Sequence, residues 1–165
     1  MPMTTLQTGQ TIPHLDIAVI DGSAEPQTMP TAALFENHKV VMFGVPGAFT
    51  PTCSEQHLPG YVQQFEAFRA RGIDVFCLAV NDAFVMQAWA ASQHVPAGFK
   101  LLADGNGSFT RMMGLELDGS GYGMGLRARR FALYAENGVV KLLQIEAPGE
   151  LRVSSAEAMF SAITD

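Results

Sequence analysis

The feature that most constrains this chain is the stretch 45–53, which joins an apolar run to a long amphipathic segment. The apolar run, 40–43, is typical of a buried strand, and the amphipathic segment predicts a helix. Two prolines and a glycine stiffen the connection between them. The chain must therefore hold a rigid loop between a core strand and a packed helix, an arrangement found in α/β proteins.

Other segments supply the rest of a central sheet. A nearly continuous apolar run predicts a central strand covered on both faces, and Asn137-Gly138 predicts a hairpin turn. The predicted strands are 15–20, 39–45, 73–80, 99–103, 129–135 and 139–145. With helices between them, these strands predict an α/β fold in which a central mixed β-sheet is flanked by helices on both faces.

Capping residues and apolar spacing predict five helices. The helix from Cys53 should be kinked by Pro59 and should end at Gly72. The residues predicted to cap the other four are Thr31, Asp82, Ser108 and, in a capping box with Glu157, Ser154. Three tracts are expected to be irregular: an extended arm over 1–14, a polar turn over 21–28 and a glycine-rich surface loop over 118–125.

Length and composition indicate a single globular domain over residues 1–165. Hydrophobic residues make up 48% and charged residues 16%, which is typical of a folded chain. The net charge of −6 argues against a nucleic-acid partner, because phosphate contacts need clustered Lys and Arg. No apolar run reaches the ~18 residues of a membrane span, and the N-terminus lacks the features of a signal or transit peptide. We therefore expect a cytoplasmic protein without a membrane partner.

The two cysteines, Cys53 and Cys77, form no C-x-x-C motif. This excludes the dithiol chemistry of thioredoxin and a disulfide scaffold. Cys53 falls at or near the first turn of its predicted helix, where free backbone N–H groups and the helix dipole favour a thiolate. A free cysteine is often only a small buried hydrophobe, but one placed at a helix start by a rigid loop is a candidate nucleophile.

Ionisation alone would not make Cys53 a fast nucleophile. At an ordinary thiol pKa of ~8.5, about 3% is thiolate at pH 7. Full ionisation therefore gains at most about 30-fold in rate, and nucleophilicity falls as the pKa falls. Reduction of a peroxide would need further groups that polarise the O–O bond and stabilise the leaving oxygen.

The spacing of Pro46, Thr50 and Cys53, within FGVPGAFTPTCSEQHLPG, resembles the peroxiredoxin signature. Together with AVNDAFVMQAW further on, it is similar to the type II branch, which has plant and bacterial members. The resemblance runs from about residue 11 to residue 163. It implies a thioredoxin-like fold with added elements. It also implies a thiol-dependent peroxidase that reduces hydrogen peroxide and small alkyl hydroperoxides through a cysteine sulfenic acid, without a resident cofactor.

The resemblance also assigns roles within the site. Cys53 is the attacking residue, Thr50 supplies a hydroxyl, and Pro46 shields the thiolate and fixes the loop. The run Arg-Phe-Ala-Leu resembles the family's strand that carries an active-site arginine, here Arg130. Alternation along that strand places Arg130 on the face of Ala132 and Tyr134, which we expect to lie away from the aromatic core stripe. Arg127 and Arg129 are expected to be mainly surface charges.

The sequence indicates how oxidised Cys53 is returned to the thiol. Cys77 lies in the middle of a predicted strand, about 10 Å along the sheet from Cys53, whereas a disulfide needs Cα atoms within ~7 Å. The mammalian branch uses a cysteine near its C-terminus, and 151–155 here contains none. We therefore expect an external thiol reductant, glutathione with glutaredoxin or else thioredoxin.

The family's type II members associate through loops around the active site. A homodimer is accordingly expected through Phe49 and the segment 81–84, with Trp89 nearby. Two other functions use the same cysteine. One is a peroxide-sensing redox relay or chaperone. The other is a Cys–His hydrolase in which His57, four residues after Cys53, acts as base. The four histidines are scattered without the spacing of a zinc site.

Overall fold

The computed structural model describes residues 5–163, apart from the side chain of Cys53. Residues 1–4 of the predicted extended arm lie outside the described residues. The strands are β1 (Asp16–Asp21), β2 (Gln27–Pro30), β3 (Lys39–Gly44), β4 (Ile73–Ala79), β5 (Lys100–Ala103), β6 (Glu116–Asp118), β7 (Leu126–Ala128), β8 (Phe131–Glu136) and β9 (Val139–Ile145). Seven of these form one sheet in the order β2-β1-β5-β4-β3-β8-β9, and β6 pairs with β7 separately.

The sheet is mixed, as the sequence predicts. β3, β4 and β5 run parallel, and the strands that flank them pair antiparallel on both sides. Phe43 of β3 is the register partner of Cys77 in β4 and of Ala132 in β8. The parallel strands bring their carboxyl ends to one edge, and the loop 45–53 leaves the sheet at that edge.

Helices cover both faces of the sheet. They are α1 (Thr31–Phe35), α2 (Leu58–Ala70), α3 (Ala83–Ser92), α4 (Ser108–Met112) and α5 (Ala156–Ala162). One buried cluster holds Phe43 and Cys77 together with side chains of α2, α3 and α5. The other holds Val40 and Met42 with side chains of α1 and α4. Alternate side chains of β3 thus point to opposite faces of the sheet and pack into two separate buried clusters. The predicted fold class is confirmed.

Two predicted irregular tracts contain regular structure. The polar turn predicted over 21–28 ends in β2, which pairs with β1 at the edge of the sheet. Pro30 closes that strand, and proline is tolerated at an edge because no ladder hydrogen bond is lost. The glycine-rich tract 118–125 lies between β6 and β7, so it is the tip of a small hairpin with a 3₁₀ turn at Ser120–Tyr122.

Helix starts were predicted with mixed success. Asp82 caps α3 as expected, since its carboxylate accepts from the N–H of Val85 at 2.9 Å. Thr31 does not cap α1: it is the first helical residue, and its hydroxyl donates to the carbonyl of Pro13 at 2.8 Å. Gly72, with φ +75°, follows α2 as a left-handed terminator, as predicted.

At α4 and α5, the residue at the cap position is a neighbour of the predicted one. The cap position of α4 is Gly107 rather than Ser108, and the carboxylate of Asp104 accepts from the N–H groups of Phe109 and Thr110 in the first turn of the helix. The cap of α5 is Ser155, whose hydroxyl accepts from the N–H of Ala158 at 3.1 Å. Ser154 is instead drawn into a buried contact described below.

Candidate active site

The loop after β3 begins against the neighbouring strand. A Cβ at Gly44 would lie 2.1 Å from the ring of Phe131, so only glycine fits there. The N–H of Val45 then donates to the carbonyl of Leu78 at 3.0 Å, which carries the chain one residue beyond β3. Phe49 takes a left-handed backbone conformation, with φ +65°, and its ring is exposed. The chain therefore turns at 47–50 on its way to the helix, where the N–H of Thr50 donates to the carbonyl of Gly47 at 3.3 Å.

Thr50 closes this loop. Its hydroxyl donates to the carbonyl of Gly47 at 2.6 Å, and its own carbonyl accepts from the N–H of Ser54 at 2.9 Å. The first of these bonds uses the only proton of the hydroxyl, so the oxygen of Thr50 remains available as an acceptor.

Cys53 stands at the start of a π-helical turn, Cys53–His57, which leads directly into α2. Pro59 lies in the first turn of α2, directly after the π turn. The segment divides next to Pro59 into a short π-helical piece that begins at Cys53 and a longer packed helix that begins at Leu58. The kink at Pro59 itself stays a prediction. Single π-helical turns are rare and occur frequently at functional sites.

Side chains from beyond β4 brace the loop and the π turn. The amide oxygen of Asn81 accepts from the N–H of Ala48 at 2.9 Å. The indole N–H of Trp89 donates to the hydroxyl of Ser54, the neighbour of Cys53, at 3.0 Å. Neither role is among those predicted from the sequence. The signal was present, since Asn81 follows a strand predicted to lie in the same sheet as β3.

Arg130 lies just before β8, at the same edge of the sheet. Its carbonyl accepts from the N–H of Glu146 at 2.9 Å, which extends the β8–β9 ladder by one pair. Its Nη1 donates to Nδ1 of His57 at 2.8 Å. Arg130 also lines a cavity of about 280 Å³ with Pro46 and Thr52, the residue before Cys53. The structure therefore brings Arg130 and Pro46 to one cavity next to the π turn.

His57 is buried and has both ring nitrogens engaged. Since Arg130 only donates, Nδ1 is the acceptor, and Nε2–H donates to the carbonyl of Ser154 at 3.0 Å. Burial, and after it the charge of Arg130, lowers the pKa of His57 from 6.5 to about 3. His57 is therefore neutral at pH 7. A hydrolase base would need a nitrogen directed at Cys53, and neither is available, so this arrangement does not support the Cys–His hydrolase.

The carbonyl of Ser154 is a shared acceptor. The hydroxyl of Tyr61 also donates to it, at 2.7 Å. Burial raises the pKa of Tyr61 well above 10, with smaller contributions from Cys77 and Glu146, so the donor stays protonated. The ring of Tyr61 stacks on Phe43 with centroids 3.9 Å apart.

A single carboxylate oxygen of Glu146 organises the loop before α5. It accepts from three successive backbone N–H groups and from the hydroxyl of Ser154, at 2.7–2.8 Å; the N–H donors are Arg152, Val153 and Ser154. Burial raises the pKa of Glu146, but these hydrogen bonds outweigh that effect, so its pKa is lowered. Glu146 remains ionised and holds the loop.

Comparison with known proteins identifies the family. The family model described as Redoxin matches residues 7–160. Peroxiredoxin-2C of Oryza sativa subsp. japonica is 45% identical over 162 residues, which cover 98% of this chain and 100% of that protein. The chain belongs to the type II peroxiredoxins.

Solved structures agree with this placement. Reduced Prx3 from Vibrio vulnificus, in complex with hydrogen peroxide, is 45% identical with a TM-score of 0.88, and the match covers 96% of each chain. The Plasmodium falciparum antioxidant protein, described as a 1-Cys peroxiredoxin, is 28% identical with a TM-score of 0.86, and the match covers 95% of this chain and 98% of that one. This peroxiredoxin is a thiol-dependent peroxidase with a thioredoxin-like fold.

Beyond Arg130, the cavity of this peroxiredoxin has a mostly apolar lining. Its remaining residues are Leu117, Tyr122, Arg129, Glu146, Ala147, Pro148 and Gly149. Arg129, expected as a surface charge, therefore borders the same cavity as Arg130. Arg127 is half-buried, and its Nε donates to the carbonyl of Met124 at 2.9 Å. Its guanidinium packs over the loop 45–53, the active-site loop, where a Cβ at Gly47 would lie 3.0 Å from Nη1 of Arg127.

The expectation about strand faces is half right. Ala132 and Tyr134 do share a face of β8, and Phe131 and Leu133 share the other. The face of Arg130 is nevertheless the more aromatic one, since α2 packs Tyr61 and other rings against it. Arg130 escapes burial in that cluster because it precedes the strand at the sheet edge.

Within the described part of the chain, no group of three or more His, Cys, Asp or Glu side chains could hold a metal ion. The same residues contain no helix that is long and apolar enough to cross a membrane.

Proposed function

We propose that Cys53, assisted by Thr50, Pro46 and Arg130, reduces hydrogen peroxide and small alkyl hydroperoxides. The Cys53 thiolate attacks one peroxide oxygen, so an S–O bond forms as the O–O bond breaks. The leaving oxygen takes a proton and departs as water or an alcohol, and Cys53 becomes a sulfenic acid. The observation that carries the proposal is Arg130, oriented by His57 at a cavity beside the π turn that begins at Cys53.

The other residues have complementary tasks. Negative charge moves from sulfur to the leaving oxygen, and the guanidinium of Arg130 is a fixed cation that stabilises it. The oxygen of Thr50 accepts the O–H of the peroxide, because its own proton is committed to Gly47. Pro46 lines the cavity and keeps water from the thiolate.

The size of the cavity supports organic substrates as well as hydrogen peroxide. Its volume of about 280 Å³ is several times the ~30 Å³ that a water molecule occupies in the liquid. Leu117 and Pro148 give part of its wall an apolar character suited to a small alkyl group.

We further propose that an external thiol regenerates Cys53. Cys77 is fully buried in β4, between β3 and β5, so it cannot reach the start of the π turn without unfolding. A thiol of glutathione, acting with glutaredoxin, or of thioredoxin attacks the sulfenic sulfur, forming a mixed disulfide and releasing water. A second thiol then releases Cys53 and leaves the donor as a disulfide. No resident cofactor is needed, and a reducing compartment such as the cytoplasm suits this cycle.

A homodimer is proposed from the exposed aromatic side chains. Phe49 is 55% exposed on the active-site loop, and Phe84 is 81% exposed at the start of α3, just after Asn81. Asn81 accepts from the N–H of Ala48 in the same loop, so a hydrogen bond joins the two segments that carry these rings. Large exposed aromatic groups of this kind are enriched at protein interfaces.

Peroxide turnover coupled to NADPH tests the proposed function. Glutathione with glutaredoxin and thioredoxin with its reductase are run side by side, and hydrogen peroxide is compared with cumene hydroperoxide. Sustained consumption with either donor is expected. Consumption that stops after one equivalent per chain with both donors would contradict the peroxidase cycle and favour the redox relay.

A further inference from the structure

A closed ring of hydrogen bonds supports Arg130. The backbone N–H of Glu146 donates to the carbonyl of Arg130, and the carboxylate of Glu146 holds Ser154. The carbonyl of Ser154 accepts from His57, and His57 accepts from the guanidinium of Arg130. Each step is 3.0 Å or shorter. The ring joins β8, β9, the loop before α5 and the π turn.

We infer that His57 is a positioning residue for the peroxidase reaction, acting through Arg130 as a neutral acceptor whose tautomer is fixed by the carbonyl of Ser154. The inference rests on the proposed role of Arg130. His57 contacts the guanidinium directly, and its Nε2–H has a fixed partner, so Nδ1 presents a lone pair to Nη1. The ring itself is held by Phe43, at a centroid distance of 4.8 Å.

Neutrality is what makes a histidine suitable here. A carboxylate in the same place would also orient the guanidinium, but it would cancel much of the positive charge that the leaving oxygen requires. A protonated histidine would have no lone pair at Nδ1 and would repel Arg130. An imidazole kept neutral by burial fixes the cation and leaves its charge intact for the substrate.

Glu146 supports both His57 and Arg130 through hydrogen bonds of its carboxylate and its backbone. Its carboxylate oxygen accepts hydrogen bonds from four donors in the loop 152–154, so its negative charge is stabilised there. These bonds also fix the carbonyl of Ser154, which selects the tautomer of His57. The backbone of Glu146 fixes the main chain of Arg130. Glu146 thus fixes the backbone position of Arg130 directly, and it fixes the orientation of the guanidinium group through Ser154 and His57.

A double-mutant cycle tests this inference. Stopped-flow rates of reduced protein with hydrogen peroxide are measured for wild type, His57→Leu, Arg130→Met and the double variant. We expect His57→Leu to lower the rate constant about 10- to 100-fold and to have almost no further effect when Arg130 is already methionine. Alkylation of Cys53 by iodoacetamide needs no leaving-oxygen stabilisation, so it should change less than about 3-fold.

Conservative variants separate positioning from simple destabilisation. His57→Asn keeps an acceptor near the position of Nδ1, whereas His57→Gln keeps a donor near Nε2. We expect His57→Asn to retain more of the peroxide rate than His57→Gln, and this comparison replaces the leucine variant if that one does not fold. Tyr61→Phe is the matched control, because it removes the other buried donor to Ser154 without touching the contact with Arg130.

The outcomes distinguish the inference from the proposed function. A full peroxide rate in Arg130→Met would overturn the role of Arg130 itself. A large loss in Arg130→Met, together with an unchanged rate in the His57 variants or with losses that simply multiply in the double variant, would overturn only the role of His57. Equal losses of peroxide and iodoacetamide reactivity would show a structural effect on the π turn and would also overturn it.

Discussion

The N–H of Glu146 donates to the carbonyl of Arg130 at 2.9 Å, one pair beyond the end of β8. The same glutamate lies at the start of the loop that leads to α5, and its carboxylate gathers three backbone N–H groups of that loop. The position of the arginine is therefore set by the sheet rather than by a flexible loop. A cation held in this way needs no reorganisation when charge develops next to it, which is the condition for effective electrostatic stabilisation.

Cys53→Ser should abolish peroxidase turnover and leave the fold intact. Serine is nearly isosteric with cysteine, and the residue stands at the start of a π turn. Steady-state assays with excess reductant should give less than about one per cent of the wild-type rate, since no thiolate remains to attack the peroxide. Turnover well above that level in a folded variant would show that another group is the nucleophile.

Arg130→Met should remove ~2–4 kcal/mol of transition-state stabilisation, or about 30- to 1,000-fold in the rate with hydrogen peroxide. Arg129→Met is the matched control. Arg129 borders the same cavity but has no contact with His57 in the described structure, so its loss should be far smaller. Equal rates of the two variants with hydrogen peroxide would show that the wrong arginine has been assigned.

The stability of the fold should decrease on mild acidification because of His57. The unfolded chain binds a proton at this residue near pH 6.5, whereas the folded chain does so only near pH 3. The unfolded state therefore holds more protons between these values. Proton binding then favours the unfolded state, so the free energy of unfolding decreases as the pH falls. Between about pH 7.5 and about pH 5, His57 alone should lower the free energy of unfolding by about 2 kcal/mol.

Urea unfolding at the two pH values measures this effect, with His57→Gln as reference. The reference should lose about 2 kcal/mol less than wild type over the same interval, since all other titrating groups are shared. The lowered pKa of Glu146 acts in the same direction below about pH 4.5, outside the tested interval. Identical pH dependence of the two proteins would mean that His57 is not held neutral.

Cys77→Ser should keep most of the turnover with an external thiol. Cys77 is fully buried in the middle of the sheet, where it packs beside Phe43 and Leu101. Mass spectrometry of protein oxidised in the presence of glutathione should find a mixed disulfide at Cys53. The opposing result is a disulfide between Cys53 and Cys77 as the main product, with turnover lost in the serine variant.

Sedimentation should show a species of about twice the chain mass of 17.7 kDa at micromolar concentration. Phe84→Glu should shift the protein towards the monomer, because it places a charge in the exposed aromatic surface. Met112→Glu, at an exposed apolar residue of α4, should leave the association unchanged. A single species at the chain mass in both oxidised and reduced wild-type protein would refute the dimer.

The fold was predictable because its strands and helices follow simple periods. The continuous apolar run of β4 and the Asn137-Gly138 turn identify their elements without tertiary information. Edge strand β2 escaped prediction because its four residues, the last of them Pro30, carry no such period. The capping errors at Thr31 and Ser154 have one cause: each hydroxyl found a distant partner in the folded chain.

The site was predictable in part for a similar reason. A motif within nine residues marks Pro46, Thr50 and Cys53, and a local resemblance marks Arg130. The sequence marks His57 only by its spacing from Cys53. Its actual partners, Arg130 and Ser154, are 73 and 97 residues away in the sequence, so only the folded chain reveals them. Glu146 carried no local signal at all.

The hydrogen bond between Trp89 and Ser54 gives this peroxiredoxin an internal optical probe. Trp89 is the only tryptophan of the chain, and its ring is buried with its N–H directed at the neighbour of Cys53. Any rearrangement of the π turn must alter the polarity around that indole. Its emission can therefore follow oxidation and reduction in real time, without a label and without a second fluorophore of the same kind to confuse the signal.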